Sequence, residues 1–337
     1  MSGSKAVDLR EFIDFLEKRG ELRRIKVPVS RDLEITEIVD RVVKSGGPAL
    51  LFENVEGYDV PILVNLYGSH QRVAWALGVD HIDELTERVR KLLGIVQGPP
   101  KGLLNKLNTA ADVLGLVRSQ PKIVGKGPCQ EVVLTGDEID LTMLPALKCW
   151  PMDGGRYITL PLVITRDTQS GRRNVGTYRM QIYDKQTTGM HWQTHKVGAH
   201  HYRNYQVLGP KKMDVAVAIG GDPTTIWSGS LPLPPDMDEI AVSGIIRGKP
   251  VELVKCKTVD LEVPAHAEFI IEGYINTCEL RSEGPFGDHT GYYSLPEDYP
   301  VFHVTAITHR KHPIYHTTMV GRPPTEDFFM GKAAERI

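Results

Sequence analysis

The 337-residue sequence has only four cysteines, and no two of them stand in the CxxC spacing typical of zinc sites. Because Cys129, Cys149, Cys256 and Cys278 are far apart along the chain, we expect reduced thiols rather than a disulfide framework. No apolar run approaches the roughly 18 residues of a membrane-spanning helix. The stretch MSGSKAVDLREF lacks the basic and apolar regions of a signal peptide. These absences predict a cytoplasmic protein.

The charge is nearly balanced, with 40 basic and 42 acidic residues and a net charge of −2. This balance argues against a protein that binds nucleic acid through a strongly basic surface. The sequence contains neither the GxxxxGK[ST] phosphate loop nor the GxGxxG dinucleotide motif. A nucleotide phosphate would therefore need a different kind of site, such as one built on a metal ion.

The first 96 residues alternate between helical and strand patterns. Asp8 and Glu11 form a capping box ahead of a helix that ends near Gly20. Apolar residues at helical spacing recur over 33–42 and 81–94, and short apolar runs at 49–53 and 61–65 are typical of buried strands. Residues 1–96 are therefore predicted to form a small α/β domain.

Residues 97–127 differ in composition, since Gly/Pro-rich stretches bracket one short helical pattern at 109–117. We interpret them as a linker or crossover. From 128 to 320 the pattern is mainly β, with one helix at 237–248 and a run at 174–184 that is predicted as a single strand. Short strands separated by turns favour a barrel or a two-sheet body. The fold class predicted for the whole chain is α+β.

The carboxyl end of the sequence, TEDFFMGKAAERI, begins like a helix capped by Thr325 and carries no stop signal. We interpret residues 321–337 as the start of a linker to a further domain. A frayed tail is the alternative interpretation.

The stretch RSEGPFGDHTGYYS places two carboxylates, Glu283 and Asp288, on either side of Gly-Pro-Phe-Gly. That tetrapeptide suits a type I β-turn, whose ends lie within about 7 Å of each other. Two adjacent carboxylates cannot ionise independently, so one pKa is expected to rise towards neutrality and supply a proton donor. The alternative is a solvated hairpin whose acids only cap neighbouring amides.

Arg179 and the histidines near it are further candidates. Arg179 lies amid apolar neighbours on the predicted strand, where a guanidinium needs an anionic partner. That partner is either a substrate carboxylate or an acid of the protein such as Glu283. His191 and His195 have the i, i+4 spacing of helical metal ligands, but their surroundings indicate strand and loop. An ordinary histidine and a single metal ligand are both left open for each.

Five stretches of the chain, in this order along it, resemble the UbiD family of decarboxylases. They are LEITEIVDRV (33–42), GGPALLFENVEGY (46–58), NVGTYRMQ (174–181), EGPFGDHTGYY (283–293) and GRPPTED (321–327). The motifs are most similar to those of members that decarboxylate 4-hydroxy-3-polyprenylbenzoate in ubiquinone synthesis. The resemblance covers essentially the whole chain.

The resemblance implies a split β-barrel domain, similar to flavin reductases, that binds prenylated FMN. It implies a Mn²⁺ ion at the flavin phosphate and a nearby K⁺ ion partly on backbone carbonyls around Trp227 and Ser228. The implied metal ligands are Asn174, His195 and Glu239, and these also count as cofactor contacts together with Thr177, Tyr178, Arg179 and Trp192. The implied catalytic set is Arg179, Glu283 and Asp288.

The function implied by the resemblance is reversible, non-oxidative decarboxylation of an aromatic or α,β-unsaturated acid. A flavin prenyltransferase would supply the cofactor, and the full-length protein would be a homo-oligomer assembled through a domain beyond residue 337. A polyprenylated substrate would imply peripheral membrane association. The alternatives are a truncated, non-catalytic flavin-binding or interaction module, and a flavin reductase suggested by the barrel alone.

Overall fold

The computed structural model describes residues 6–86, 117–234 and 237–336, and it has the mixed α/β architecture expected from the sequence. Over those residues, no helix combines the length and the apolar character needed to cross a bilayer. The first part of the chain contains helices α1 (Leu9–Glu17), α2 (Glu34–Lys44) and α3 (His70–Ala76) and strands β1 (Leu22–Ile25), β2 (Ala49–Phe52) and β3 (Ile62–Val64).

The N-cap predicted for α1 at Asp8 is confirmed, whereas Glu11 accepts the N–H of Val7 at 2.9 Å rather than that of Asp8 as in a capping box. The side chain of Asp8 accepts the backbone N–H groups of Arg10 and Glu11, both at 3.0 Å, and Gly20 follows the helix with φ +73°. The predicted helix at 81–94 is helical over residues 82–86, where the described range ends. Most of the predicted linker, including all but the last residue of its helix at 109–117, lies outside the described residues.

The second part is rich in strands. They are β4 (Lys122–Ile123), β5 (Val132–Thr135), β6 (Arg156–Ile158), β7 (Leu162–Arg166), β8 (Arg173–Thr177), β9 (Met180–Ile182), β10 (Thr187–Gly189), β11 (Lys212–Ile219), β12 (Glu252–Lys255), β13 (Glu262–Pro264), β14 (Phe269–Glu283), β15 (Phe286–Gly287), β16 (Tyr293–Ser294), β17 (Glu297–His309) and β18 (Tyr315–His316). The helices are α4 (Val197–Leu208), α5 (Pro223–Ser228), α6 (Glu239–Arg247) and α7 (Glu326–Glu335).

In the described part of the chain, nine strands form one curled sheet in the order β6-β9-β10-β17-β14-β11-β7-β8, with β5 paired to β17. The long β14–β17 ladder shifts register at Glu272/Gly273 and between Ile275 and Leu280. Such irregularities bend a strand and increase its twist, and this helps to close the sheet into a half-barrel.

Both faces of this sheet are covered. On β11, Ala216 and Ala218 belong to one hydrophobic cluster, whereas Val215 and Val217 belong to another. Successive side chains of a strand point to opposite faces, so each cluster packs on its own side. This explains why residues 215–219 of the strand are an uninterrupted apolar run rather than an alternating one.

Two sequence-based expectations are corrected. Residues 174–184 form two strands, β8 and β9, because the chain breaks at Tyr178 and Arg179. The segment around His191 and His195 was expected to form strand and loop, but from Val197 onwards it forms helix α4. Its Tyr, His, Asn and Val residues are weak helix formers, so packing stabilises it: Tyr202 is buried and donates its hydroxyl to the Thr277 carbonyl at 2.9 Å.

The two parts of the chain share a sheet. Strand β18 pairs in parallel with β3, placing Tyr315 opposite Ile62. Helix α7 then reaches back to the same region, since the buried Glu326 carboxylate accepts the backbone N–H groups of Asn65 (3.1 Å) and Tyr67 (2.7 Å).

Candidate active site

Arg179 lies at the break between β8 and β9 and is the centre of the candidate site. Its Nε donates to Oε1 of Glu283 at 3.0 Å, and its Nη1 donates to Oδ2 of Asp288 at 3.4 Å. Nη2 reaches Oε2 of Glu283 and Oγ of Ser294, at 3.4 and 3.3 Å. The guanidinium carbon also lies 4.4 Å from the ring centre of Phe286, a cation–π distance. Five contacts therefore fix one guanidinium between two acids.

The two carboxylates meet through Arg179 rather than through a shared proton. Burial acts to raise the pKa of Glu283, but a hydrogen bond from His191 and the charge of Arg179 hold it below its ordinary value. For Asp288 burial is likewise outweighed, by hydrogen bonds from His289 and by Arg179, so its pKa is also lowered. The expectation that one of the two pKa values rises towards neutrality is therefore wrong for this state, because each acid has its own cationic or hydrogen-bonding partners.

The turn that joins the acids also differs from the expected type I β-turn at 284–287. Phe286 and Gly287 form strand β15, paired with β16. The tight turn comes later, where the N–H of Gly291 donates to the Asp288 carbonyl at 2.9 Å. Asp288 therefore stands at the start of a turn at the tip of a small hairpin.

Asp153 holds this segment in place. Its Oδ1 accepts the N–H of Gly287 at 2.8 Å, and its Oδ2 accepts the N–H of Trp150 at 2.9 Å. A Cβ at Gly287 would lie 2.1 Å from Cδ1 of Trp150, so only glycine allows this close approach. The packing of β15 on Trp150 thus fixes the position from which Asp288 reaches Arg179.

Two cavities meet at Arg179. One, of about 290 Å³, is lined by Thr177, Tyr178, Phe286 and Asp288 and by residues of α7 such as Asp327 and Met330. The other, of about 640 Å³, is lined by residues that include Trp192, His195, Arg203, Leu295 and Tyr299. Arg179, His191 and Asp288 line both, so Asp288 is accessible from two sides, whereas the buried Glu283 lies behind Arg179 and His191.

Of the expected cofactor contacts, Thr177, Tyr178, Arg179, Trp192 and His195 lie on the walls of these cavities, and Asn174 and Glu239 do not. The Thr177 N–H donates to the Gly229 carbonyl at 3.0 Å, which fixes the end of β8. The hydroxyl of Tyr178 accepts the N–H of Gly198 at 3.3 Å, so this ring connects β8 with the start of α4. Trp192 packs edge-on against Tyr178, and its Nε1 is buried with no hydrogen-bond partner among the described residues.

Two of the three expected metal ligands are neighbours in the structure. Nδ2 of Asn174 donates to the Tyr178 hydroxyl at 3.4 Å, and Oε2 of Glu239 accepts the N–H of Val175 at 2.9 Å, so Asn174 and Glu239 lie at neighbouring positions. Burial raises the pKa of Glu239 to about 7. His195 is exposed on the wall of the larger cavity, which Asn174 and Glu239 do not line.

Across residues 6–86, 117–234 and 237–336, no three or more His, Cys, Asp or Glu side chains form a group that could hold a metal ion. Only two of the three expected Mn²⁺ ligands are of those types, since the third is Asn174. Mn²⁺ and K⁺ binding therefore stay predictions.

Sequence reasoning missed two contacts of the acids. Nδ1 of His191 lies 2.6 Å from Oε2 of Glu283, and Nδ1 of His289 lies 2.7 Å from Oδ1 of Asp288. His289 directly follows an acid in the sequence, which is a usable signal. His191 is 92 positions from Glu283, and no local pattern could have joined them.

Comparison with known families matches the same two parts of the chain. Residues 13–92 match the 3-octaprenyl-4-hydroxybenzoate carboxy-lyase N-terminal domain, and residues 122–323 match the Rift-related domain of the same carboxy-lyase. The chain belongs to the UbiD family of carboxy-lyases, and the resemblance stated from the motifs is confirmed.

Individual relatives agree with this assignment. An uncharacterised protein of Archaeoglobus fulgidus is 51% identical over 330 residues, which are 98% of this chain and 67% of the relative. The evolved dimeric form of the UbiD-class enzyme HmfF from Pelotomaculum thermopropionicum, solved with prFMN, is 32% identical with a TM-score of 0.84, covering 98% of this chain and 71% of that one. Vanillic acid decarboxylase of Sedimentibacter hydroxybenzoicus is 29% identical with a TM-score of 0.85, covering 96% and 66%.

Proposed function

We propose that this chain binds prenylated FMN and catalyses the reversible, non-oxidative decarboxylation of an aromatic or α,β-unsaturated carboxylic acid. The substrate class that the motifs favour is a 4-hydroxybenzoate-type acid, polyprenylated in quinone biosynthesis. The observation that carries the proposal is that the Arg179 guanidinium contacts both the buried Glu283 and Asp288, and that Arg179 and Asp288 line two cavities. Among the solved relatives, HmfF was solved with prFMN and another is a vanillic acid decarboxylase, which supports the cofactor and the reaction.

The residues of the site fit a flavin and its metal ion. Trp192 has a buried indole N–H with no partner among the described residues. Glu239 is a carboxylate whose burial a bound cation would offset. Asn174, His195 and Glu239 would hold Mn²⁺ at the flavin phosphate, the carbonyls around Trp227 and Ser228 would hold K⁺, and Thr177, Tyr178, Arg179 and Trp192 would contact the flavin. Prenylated FMN, when bound, supplies an acceptor for the electron pair left when CO₂ departs.

The protein's own share of the reaction is orientation and proton transfer. Arg179 orients Glu283 and the incoming substrate carboxylate through its planar fork of donors. Asp288 delivers to the substrate carbon the proton that replaces CO₂. Bound ligands exclude water from Asp288 and so raise its pKa towards a donor's value. His289, exposed and hydrogen-bonded to Asp288, then restores the proton from solvent.

The remaining partners follow from this chemistry. A flavin prenyltransferase would supply the cofactor, and the proposed form of the protein is a homo-oligomer in the cytoplasm. A polyprenylated substrate would bring the enzyme to the membrane surface. No nucleic-acid partner is proposed.

The deciding experiment titrates the chain with prenylated FMN, with and without Mn²⁺ and K⁺, and follows flavin absorbance and fluorescence. Manganese-dependent binding, followed by CO₂ release from a panel of aromatic acids, is the expected result. The Glu283→Gln variant should bind the flavin and lose decarboxylation. Parental CO₂ release by that variant would show that the role given to Glu283 is wrong.

A further inference from the structure

His191 lies in the loop between β10 and α4, and three contacts fix it. Its backbone N–H donates to the Arg179 carbonyl at 3.2 Å. Its ring centre lies 4.2 Å from that of Tyr299, at an angle of 37°. Its Nδ1 lies 2.6 Å from Oε2 of Glu283, and 12% of its side chain is exposed. The imidazole therefore has one orientation, in which Nδ1 faces the acid.

The contact with His191 is the shortest hydrogen bond that Glu283 makes. The side chain of Glu283 is fully buried, and Arg179 approaches its two oxygens at 3.0 and 3.4 Å. Arg179 also donates hydrogen bonds to Asp288 at 3.4 Å and to Ser294 at 3.3 Å. A buried carboxylate needs a full set of donors, and Arg179 alone is divided between several acceptors.

The direction of this hydrogen bond follows from the charge of Glu283. An ionised carboxylate has no proton to donate, so Nδ1 of His191 carries the hydrogen. A charge-assisted hydrogen bond of this kind is about twice as strong as a neutral one.

We propose that His191 is a positioning residue, whose Nδ1–H holds the Glu283 carboxylate in place beside Arg179. This inference rests on the proposed function, because it assigns the partner of an acid used there. Glu283 is then held as a carboxylate by two donors, which agrees with the role of proton donor proposed above for Asp288. Among the hydrogen bonds of the described residues, removal of the Nδ1–H would leave Oε2 with the 3.4 Å contact from Arg179 alone.

The titration of Glu283 depends on every group that faces this pair. Besides His191, these groups are Arg179, Asp288, Tyr157, Tyr183, Tyr299 and Glu297. The variants below leave all of them unchanged, so a shift in the titration reports on His191.

Two variants separate the hydrogen bond from the packing of the ring. His191→Phe keeps an aromatic ring against Tyr299 and removes the donor, whereas His191→Asn keeps an amide donor near the position of Nδ1. His200→Asn is the matched control, because His200 is exposed on α4. The His191→Phe variant should lower kcat by about 10- to 100-fold, with KM changed little, and should move the acid limb of the pH–kcat profile to higher pH. The His191→Asn variant should recover part of both, and His200→Asn should match the parent.

A second readout does not need turnover. The carboxyl pKa of Glu283, followed by carbon NMR in cofactor-free protein and assigned with Glu283→Gln, should rise in His191→Phe and not in His200→Asn. If the parent neither binds prenylated FMN nor releases CO₂, the proposed function fails while this titration still tests His191. An unchanged Glu283 pKa in His191→Phe, or a His191→Asn variant no better than His191→Phe, would overturn the positioning role.

Discussion

The Nε atom of Arg179 lies 3.0 Å from Oε1 of Glu283, although the two residues are 104 positions apart in the chain. Arg179 follows β8, and Glu283 is the last residue of β14. Strands β9 and β14 are separated in the sheet by β10 and β17. The ion pair therefore depends on the curl of the sheet, which brings distant strands together.

Replacement of Arg179 by Lys tests whether the fork of donors matters. Lysine keeps the charge but cannot donate to Glu283 and Asp288 in the same planar arrangement. We expect kcat for CO₂ release to fall by at least about 100-fold. Steady-state assays with flavin-loaded protein measure this. The matched control is Arg281→Lys, since Arg281 is half exposed and contacts Asp184 instead; a similar loss in that control would contradict the assignment.

Replacement of Asp288 by Asn tests proton delivery. Asparagine has nearly the same shape, so substrate binding should be kept while the acid is lost. We expect kcat to fall by about 10²- to 10⁴-fold with KM within a few-fold of the parent. The exposed Asp137 provides the control as Asp137→Asn. Near-parental kcat in Asp288→Asn would mean that another group delivers the proton.

Replacement of Glu239 by Gln tests the proposed manganese site. Loss of a ligand should weaken Mn²⁺ binding by at least about tenfold. Even residues that only hydrogen-bond to a metal ligand typically change metal affinity by about 10- to 100-fold when they are replaced. Isothermal titration of the cofactor-loaded protein with Mn²⁺ measures this change. The exposed Glu138, replaced by Gln, is the control. Unaltered affinity in Glu239→Gln would exclude Glu239 as a ligand.

Glu326 should make stability depend on pH. Burial raises its folded-state pKa from 4.5 to about 7. Between these values the unfolded chain loses this proton while the folded chain keeps it, so stability contributed by this group falls as pH rises from about 4.5 to 7. Glutamine cannot ionise, so Glu326→Gln should show a smaller drop in the thermal unfolding midpoint over this range.

The control for this experiment is Glu335→Gln, because Glu335 is exposed on the same helix and pairs only with Lys332 in the described structure. It should keep the parental pH dependence. If the thermal unfolding midpoint fell equally in the parent and in Glu326→Gln over this pH range, other groups would set the pH dependence of stability.

Local patterns were enough to predict many elements. Helix α1 was indicated by its cap, α2 by its apolar spacing and α6 by the helical pattern at 237–248, and the apolar runs at β2 and β3 were indicated as strands. Helix α4 was missed because its residues favour helix weakly, and its stability comes from tertiary contacts. The break between β8 and β9 was missed because Tyr178 and Arg179 continue the strand-like composition.

The site was predicted in part. Motifs in the sequence indicated Arg179, Glu283 and Asp288. The sequence left open whether Arg179 pairs with a substrate carboxylate or with an acid of the protein. In the structure it pairs with two acids of the protein, Glu283 and Asp288. The pKa directions of the acids could not be predicted from their spacing. They depend on His191 and Arg179, which reach Glu283 only through the long-range pairing of the sheet.

The pairing of β18 with β3 has a consequence for how the chain can be divided. Residues 315–316 supply hydrogen-bonding partners to one edge of the first sheet. A fragment ending near residue 86 would leave Ile62 and Leu63 without their β18 partners along an apolar edge. Such edges pair readily with other chains, so the isolated fragment should self-associate and precipitate, whereas the longer chain protects this edge with its own carboxyl-terminal residues.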